Sequence, residues 1–110
     1  DILIYNHHDN WDLVEDWLVE VELRNLPVDA QRYTLSHYRI DAVHSNAYAE
    51  WLNQGQPMYP DAAQKQAIQA RAGLELLAPP EIITTNAGKL SISFSLPVHG
   101  ISLLSLTPVF

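Results

Sequence analysis

Two histidines and a carboxylate stand together near the start of the chain, in the stretch NHHD at residues 6–9. Imidazole and carboxylate groups are ordinary metal ligands, so this cluster could in principle hold a cation. Adjacent side chains on a strand point to opposite faces, however, and the composition predicts a strand over residues 2–8. His7 and His8 could reach one ion only if that strand ended or bulged there. We therefore predict hydrogen bonding at a strand end or a domain contact, and neither a metal site nor a cofactor.

Three glutamates are candidates for a glycosidase pair, in which two carboxyl groups face each other about 5–10 Å apart. Glu20 and Glu22 share one face of a predicted strand, as solvated carboxylates on an amphipathic strand do. Glu50 precedes Trp51, which could support a sugar ring, but the two side chains diverge by about 100° around a predicted helix. We interpret all three glutamates as solvated groups.

A nucleophile, a base and an orienting acid could be assembled from Ser36, His37 and Asp41. The sequence has no Gly-x-Ser-x-Gly elbow and no evident oxyanion hole, so we do not interpret these residues as a catalytic triad.

Aromatic side chains suggest carbohydrate binding as an alternative function. Trp11, Tyr33 and Tyr38 could stack on sugar rings if they were exposed in a line across one sheet. Aromatic residues equally build the cores of β-sandwiches, and we assign Trp17 to the core and Trp51 to an interface.

The composition is that of one globular domain, with 110 residues of which 47% are hydrophobic and 17% are charged. The net charge of −7 opposes nucleic acid and anionic lipid, so neither is an expected partner. The absence of cysteine excludes disulfides and zinc–thiolate sites. Because the chain starts DILIYNHHDN, without an initiator Met or a basic leader, we interpret it as part of a larger protein.

The elements that position these residues are mostly short strands. Alternating or β-branched runs predict strands that begin at Ile2, Asp16 and Arg32, and further strands in LELLA, EIITT, KLSISFSLP and HGISLLSLTP. The last run is apolar on both faces, which predicts a central strand or one that faces another domain.

The hydrophobic period changes between residues 45 and 73, where two helices are predicted. Ser45 is expected to cap a helix that runs through Gln54, with Tyr48 and Trp51 on one side. A capping box at Asp61 is expected to start a second helix, which Gly73 ends. The predicted architecture is a single antiparallel β-sandwich over residues 1–110 with a helix-loop-helix insert.

Several stretches resemble one known family, namely ILIYNHHD, VEVELRNLP, YTLSHYRIDAVHSNAYAEWLNQGQPMYPD, LELL and LSISFSLPVHGISLLSLTP. Together they are similar to the segment that follows the catalytic barrel in glycoside hydrolase family 39, the β-xylosidases and α-L-iduronidases. The order HYRID, HSNAY, Trp and Gly-x-Pro carries most of the resemblance, and HSNAY is more similar to the bacterial β-xylosidases.

The resemblance implies a β-sandwich packed on a (β/α)₈ barrel, in an enzyme that hydrolyses β-xylosidic or related bonds with retention. In that family the acid/base is a Glu preceded by Asn, and both catalytic glutamates lie on the barrel. This chain has no Asn-Glu pair and no βα repeats, so no catalytic residue is carried over, Glu50 included. We expect a noncatalytic C-terminal domain of a family 39-like enzyme, most similar to a retaining β-xylosidase. The alternative is an independent carbohydrate-binding module.

The expected partner is the catalytic barrel of the same parent chain. Tyr48 and Trp51 are expected to serve as apolar anchors on that barrel, and His44, Ser45 and Asn46 as capping residues and polar contacts. Otherwise the helices cover an open end of the sandwich. The resemblance also implies that a segment preceding the barrel completes the sandwich, so the isolated chain should have an unpaired strand edge and a tendency to self-associate.

Overall fold

A computed structural model describes residues 1–10, 12 and 14–109. The strands pair antiparallel throughout these residues. In chain order the elements are β1 (Ile2–Tyr5), β2 (Asp16–Leu23), β3 (Arg32–Ile40), α1 (Ala47–Asn53), α2 (Ala62–Ala70), β4 (Glu75–Leu76), β5 (Glu81–Thr84), β6 (Leu90–Pro97) and β7 (Ile101–Val109). They form two sheets, and the helices are inserted between β3 and β4. The predicted antiparallel β-sandwich with a helix-loop-helix insert is confirmed.

The larger sheet has the order β1-β7-β3, and β4 and β5 both pair with the far edge of β3. The apolar strand β7 therefore lies centrally, as its sequence predicts. β4 and β5 follow each other along one edge and are interrupted by Pro79 and Pro80, which have no N–H to donate to a ladder. Short strands and prolines protect that edge against pairing with other chains.

The smaller sheet consists of β2 and β6, which pair along all eight residues of each strand. Neither strand has a second partner within residues 1–10, 12 and 14–109. This sheet therefore has two long open edges.

The core lies between the two sheets. Tyr33 and Leu35 define the inner face of β3, a question that the sequence pattern left open, and Leu104 of β7 lies on the same face. Leu90 and Leu96 face them from β6. The ring of His37 meets that of Phe94 edge to face, with 4.6 Å between the ring centroids, and so joins the two sheets.

The molecule is thin and extended, measuring 56 × 33 × 15 Å. Its radius of gyration is 17.5 Å, whereas a compact domain of this length has about 13 Å. Its accessible area is 7647 Å², and a compact monomer of this mass has about 6,100 Å². Much surface that a typical domain of this size would bury therefore stays open.

Two strand-level predictions are wrong. The first strand ends at Tyr5 rather than at His8, because its partner strand β7 begins at Ile101 and the chain before Ile101 turns away. Trp17 is not a core residue, since 51% of its surface is exposed. It lies near the start of β2, and among the described residues β2 pairs with β6 alone.

The helix boundaries also differ in part. The capping residue of α1 is Asn46, not Ser45, and the helix ends at Asn53 rather than Gln54. The predicted capping box at Asp61 is confirmed, but α2 ends at Ala70, before Gly73. No helix of the residues described is long and apolar enough to cross a membrane.

Candidate interdomain site

The helical insert joins the larger sheet through a group of charged and polar side chains, which we call the junction cluster. Its members are Arg39, Asp41, His44, Ser45, Arg71 and Glu75. They lie at the end of β3, in the loop before α1, just after α2 and at the start of β4. The cluster therefore holds both ends of the insert at one place on the sheet.

Arg39 is the buried centre of this cluster, with 4% of its surface exposed. Its Nε donates to Ser102 Oγ at 2.9 Å, and its Nη2 donates to the Ser95 carbonyl of the smaller sheet at 2.9 Å. Its Nη1 lies 3.5 Å from Asp41 Oδ2. A buried guanidinium needs such partners because an unpaired charge in the interior is very costly. Arg39 thus ties the insert, the larger sheet and the smaller sheet together.

Asp41 closes the loop that precedes α1. Its Oδ1 accepts hydrogen bonds from the backbone N–H of Val43 at 2.9 Å and of His44 at 2.8 Å, and lies 2.9 Å from the His44 ring nitrogen Nδ1. Burial alone would raise the pKa of this carboxyl group, but the bonds from Val43 and His44 outweigh burial and hold the pKa below its ordinary value. The loop is therefore built around an ionised Asp41.

Ser45 and Glu75 connect the two ends of the insert. Ser45 Oγ donates to the Arg39 carbonyl at 2.8 Å and accepts from the Glu75 N–H at 2.7 Å. The Ser45 N–H donates in turn to the Glu75 carboxylate, which also binds Arg71 Nε at 3.1 Å. The bond from Ser45, and then that from Arg71, lower the pKa of Glu75. Ser45 has a φ of 52°, so it supports a tight turn instead of capping α1.

The five residues predicted to contact another domain lie close together in sequence and space. His44 and Ser45 belong to the junction cluster, and Asn46 Oδ1 accepts from Ala49 N at 3.1 Å. Tyr48 is 63% exposed, whereas Trp51 is half-buried, less exposed than expected, with its Nε1 donating to the Pro57 carbonyl. Contact of these residues with another domain stays a prediction.

The candidate metal ligands of the NHHD stretch contact other polar groups near the end of β1. His7 Nε2 lies 3.4 Å from Asp9 Oδ1, while His8 Nδ1 accepts from Asn10 N at 2.9 Å. The His7 ring packs on His99, with 5.8 Å between their centroids. Among residues 1–10, 12 and 14–109, no group of three metal-ligating side chains is found.

The three glutamates lie on two different elements. Glu20 and Glu22 are exposed on the outer face of the smaller sheet, as predicted. Glu50 lies on α1 as predicted, is half-buried there, and accepts from Gln54 Nε2 at 3.1 Å.

His37 has a hydroxyl partner, but that partner is Ser102 rather than Ser36. The distance from His37 Nε2 to Ser102 Oγ is 2.8 Å, and Ser102 is fully buried, where a substrate has no access. Burial, and to a lesser degree the charge of Arg39, lower the pKa of His37. Asp41 pairs with His44, so the three candidate triad residues do not form one site.

Two structurally important residues, Asn6 and Arg39, were not predicted from the sequence. Asn6 is buried, donates from Nδ2 to the Leu96 carbonyl at 3.1 Å, and joins the end of β1 to the turn before β7 through its backbone. Arg39 lies on the inner face of β3, the same face as Leu35. A charge at such a position requires buried partners. The sequence did not decide which face of β3 is the inner one, so it did not mark Arg39 as buried, and no pattern marks Asn6.

Tyr33 and Tyr38 do not form the row of exposed aromatic side chains that sugar binding would require. Tyr33 is buried in the core and Tyr38 points to the opposite face of β3, because they are an odd number of residues apart on one strand. Trp11 lies outside the described residues.

Comparison with known proteins gives structural neighbours but no sequence match. No family model matches the chain, and no curated protein sequence matches it significantly. A bacterial orthologue of human α-L-iduronidase aligns with a TM-score of 0.74 and 20% identity, over 93% of this chain and 19% of that chain. The GH39 enzyme from Xanthomonas axonopodis pv. citri aligns with a TM-score of 0.81 and 14% identity, over 97% and 23%.

A third solved structure is a monomeric β-xylosidase from Caulobacter crescentus CB15. It aligns with a TM-score of 0.68 and 18% identity, over 92% of this chain and 20% of that chain. The resemblance to family 39 enzymes is thus confirmed at the level of the fold. The chain spans about a fifth of the length of these neighbours.

Proposed function

We propose that the chain is a noncatalytic accessory β-sandwich of a family 39-like glycoside hydrolase, which stabilises and positions a (β/α)₈ catalytic barrel of the same parent chain. The observation that carries the proposal is the alignment of nearly this whole chain with about a fifth of three longer enzymes. The parent activity that we propose is retaining β-xylosidase activity, with the domain following the barrel in the chain.

The polar groups of the chain support a structural role. Of the candidate carboxylates, Asp41 and Glu75 are engaged within the junction cluster, Glu20 and Glu22 lie outward on the smaller sheet, and Glu50 accepts from Gln54 within the insert. Retaining hydrolysis needs two carboxyl groups about 5–5.5 Å apart across a sugar, one acting as acid/base and the other as nucleophile. The low pKa of Asp41 and of Glu75 suits ion pairing and not proton donation at neutral pH.

Hydrolysis of aryl β-xylosides tests the catalytic part of this proposal. We expect no release of nitrophenol by the 110-residue chain, and release by the longer gene product that contains the barrel. The variants Glu20→Gln, Glu22→Gln and Glu50→Gln control for contaminating enzyme. Turnover by the chain that one of these substitutions abolishes would contradict the noncatalytic role.

Docking through the insert is tested best at Tyr48, because its ring is exposed whereas Trp51 is held by its own loop. Tyr48→Ala removes an exposed ring that contacts Trp51, so it should lower the melting temperature of the chain only slightly and that of the longer protein more. Trp51→Ala is the comparison variant and should destabilise both, since it removes packing and a hydrogen bond inside the insert.

Self-association of the isolated chain is a further part of the proposal. The two open edges of the smaller sheet leave backbone donors and acceptors that can pair with a strand of another copy. Sedimentation over a range of concentrations should show oligomers of the chain that are absent from the longer protein. A strictly monomeric chain at high concentration would contradict this expectation.

A further inference from the structure

The outward face of the larger sheet carries an apolar surface next to the insert, which we call the outer patch. Strand register places its residues in two rows across β1, β7 and β3. The outer patch consists of Tyr5, Ile101 and Ile40 in one row and Leu3, Leu103 and Tyr38 in the next. Leu76 of β4 extends the second row beyond Tyr38.

The outer patch is open in this chain. Tyr5 is 70% exposed and Leu3 is 66% exposed, and Ile40 at the start of the insert is exposed as well. The three remaining members are only partly covered by their neighbours. Although the chain contains thirteen acidic residues and six basic ones, none occurs in these two rows.

The rest of the same face becomes more polar with distance from the insert. The next rows contain Ser36 beside Ser105, then Thr34 between Thr107 and the exposed Ile82, and finally Arg32 between Val109 and Thr84. Apolar side chains are therefore most concentrated next to the insert, where no polar residue interrupts them. Exposed apolar surfaces with polar borders are typical of interaction sites on proteins.

We infer that the outer patch is the surface on which the remainder of the parent chain packs, an inference that rests on the proposed accessory role. The fold aligns with segments that make up only 19–23% of longer chains. The accessible area is above that of a compact monomer, and within it the outer patch groups six uncharged, largely apolar side chains on one sheet face, where cover by another surface would be favourable.

The helices of the insert do not provide this cover, because their main contacts are with each other. Two alternative occupants fit the outer patch less well. Sugar platforms are aromatic, and four of the six residues here are aliphatic. A second copy has a matching apolar face, but a partner within the same chain is present at high effective concentration.

Two exposed leucines on opposite outward faces provide a matched test. Leu3 belongs to the outer patch, and Leu18, which is 73% exposed, lies on the outer face of the smaller sheet. Leu3→Lys should lower the melting temperature of the longer gene product by several degrees, and Leu18→Lys should not. Neither substitution should shift the melting temperature of the 110-residue chain appreciably.

Hydroxyl-radical labelling gives a second, direct measurement. Tyr5 should be labelled several-fold less in the longer protein than in the chain, whereas Tyr59 of the insert, 88% exposed here, provides the internal reference. Equal labelling of Tyr5 in both proteins would overturn the inference. So would a dimer of the chain that Leu3→Lys alone dissociates, or protection of Tyr5 in the chain by a xylo-oligosaccharide.

The failure of the inference and that of the proposed function can be told apart. If the longer protein hydrolyses aryl β-xylosides but Tyr48 is protected instead of Tyr5, the accessory role stands and the outer patch is the wrong surface. If Tyr5 is protected in a longer protein without glycosidase activity, the outer patch is an intramolecular interface and the proposed function is wrong.

Discussion

The two outward faces of this sandwich differ in chemistry although both belong to antiparallel sheets. On the smaller sheet the outward positions hold Glu20 and Glu22 opposite Ser93 and Ser91, which water solvates well. On the larger sheet the outward positions next to the insert hold leucine, isoleucine and tyrosine. Alternation of apolar and polar residues is expected where one face meets water. The larger sheet departs from it where β7 is apolar on both faces.

This difference indicates which face of the sandwich is suited to contact another surface. The inner faces pack against each other through a small group of large buried side chains. The outer face of β7 adds apolar area without adding to that core. A strand that is apolar on both faces indicates a second layer, and none of the elements formed by residues 1–10, 12 and 14–109 covers the outer patch.

The largest difference in stability between the two faces is expected for substitutions at two adjacent residues of β7. Leu104 is 0% exposed on the inner face, and Leu103 points outward. Leu104→Ala should reduce the free energy of unfolding of the chain by about 2–5 kcal/mol, because it leaves a cavity in the core. Leu103→Ala should cost less than about 1 kcal/mol in the chain. Urea denaturation measures both.

In the longer protein Leu103→Ala should cost more free energy of unfolding than in the chain if the outer face is covered. The difference between the Leu103→Ala and Leu104→Ala variants should then be smaller. If Leu103→Ala lowered the free energy of unfolding of the 110-residue chain as much as Leu104→Ala does, the outer face of β7 would be as buried as the inner face, and the comparison would be wrong.

A smaller effect is expected at Asn6, which fixes the end of β1 so that Leu3 and Tyr5 face outward. Asn6→Ala removes the buried bond from Asn6 Nδ2 to the Leu96 carbonyl and should cost about 0.5–1.5 kcal/mol, the usual net contribution of one hydrogen bond. Asn10→Ala is the matched control, because Asn10 is exposed and its Oδ1 accepts from the nearby Asp12 N. Thermal unfolding of both variants checks this, and equal losses would contradict the role assigned to Asn6.

A third prediction concerns the pH dependence of stability, because the core and the junction cluster should lose stability in different pH ranges. His37 has a lowered pKa, so the unfolded chain binds more protons than the folded chain as the pH falls below about 6.5. Stability should decline there until the lower pKa of the folded state is passed. Asp41 and Glu75 also have lowered pKa values, and their contribution should decline below about pH 5 as the pH falls toward those values.

Unfolding curves between pH 7 and pH 3 test this order. His37→Gln should remove the first decline and keep the second, and His8→Gln, which leaves His37 in place, should keep both. A chain whose stability rises on acidification from pH 7 to pH 5 would contradict the prediction.

The sequence predicted the parts of this fold that depend on local pattern. Alternation in KLSISFSLP located β6, and Asp61 with Gln64 located the start of α2, because these signals lie within a few residues. Trp17 was misassigned because its exposure depends on which strands lie beside β2, and sequence periodicity does not report that. The junction cluster could not be predicted as a unit, since it joins residues up to 36 positions apart through backbone groups.

The smallest effect is expected on the polar outer face, where substitutions should change almost nothing. Glu20→Gln and Glu22→Gln each remove a charge from an exposed side chain, and surface changes of this kind stay within about 0.5 kcal/mol. Glu22 also pairs with Arg24 at 2.9 Å, but an exposed pair contributes little because water and salt screen it. Urea denaturation of the chain and of the longer protein should give the wild-type free energy of unfolding for both variants. A clear loss in the longer protein alone would place an interface on the smaller sheet, and the contrast between the two outward faces would no longer identify where the parent chain packs.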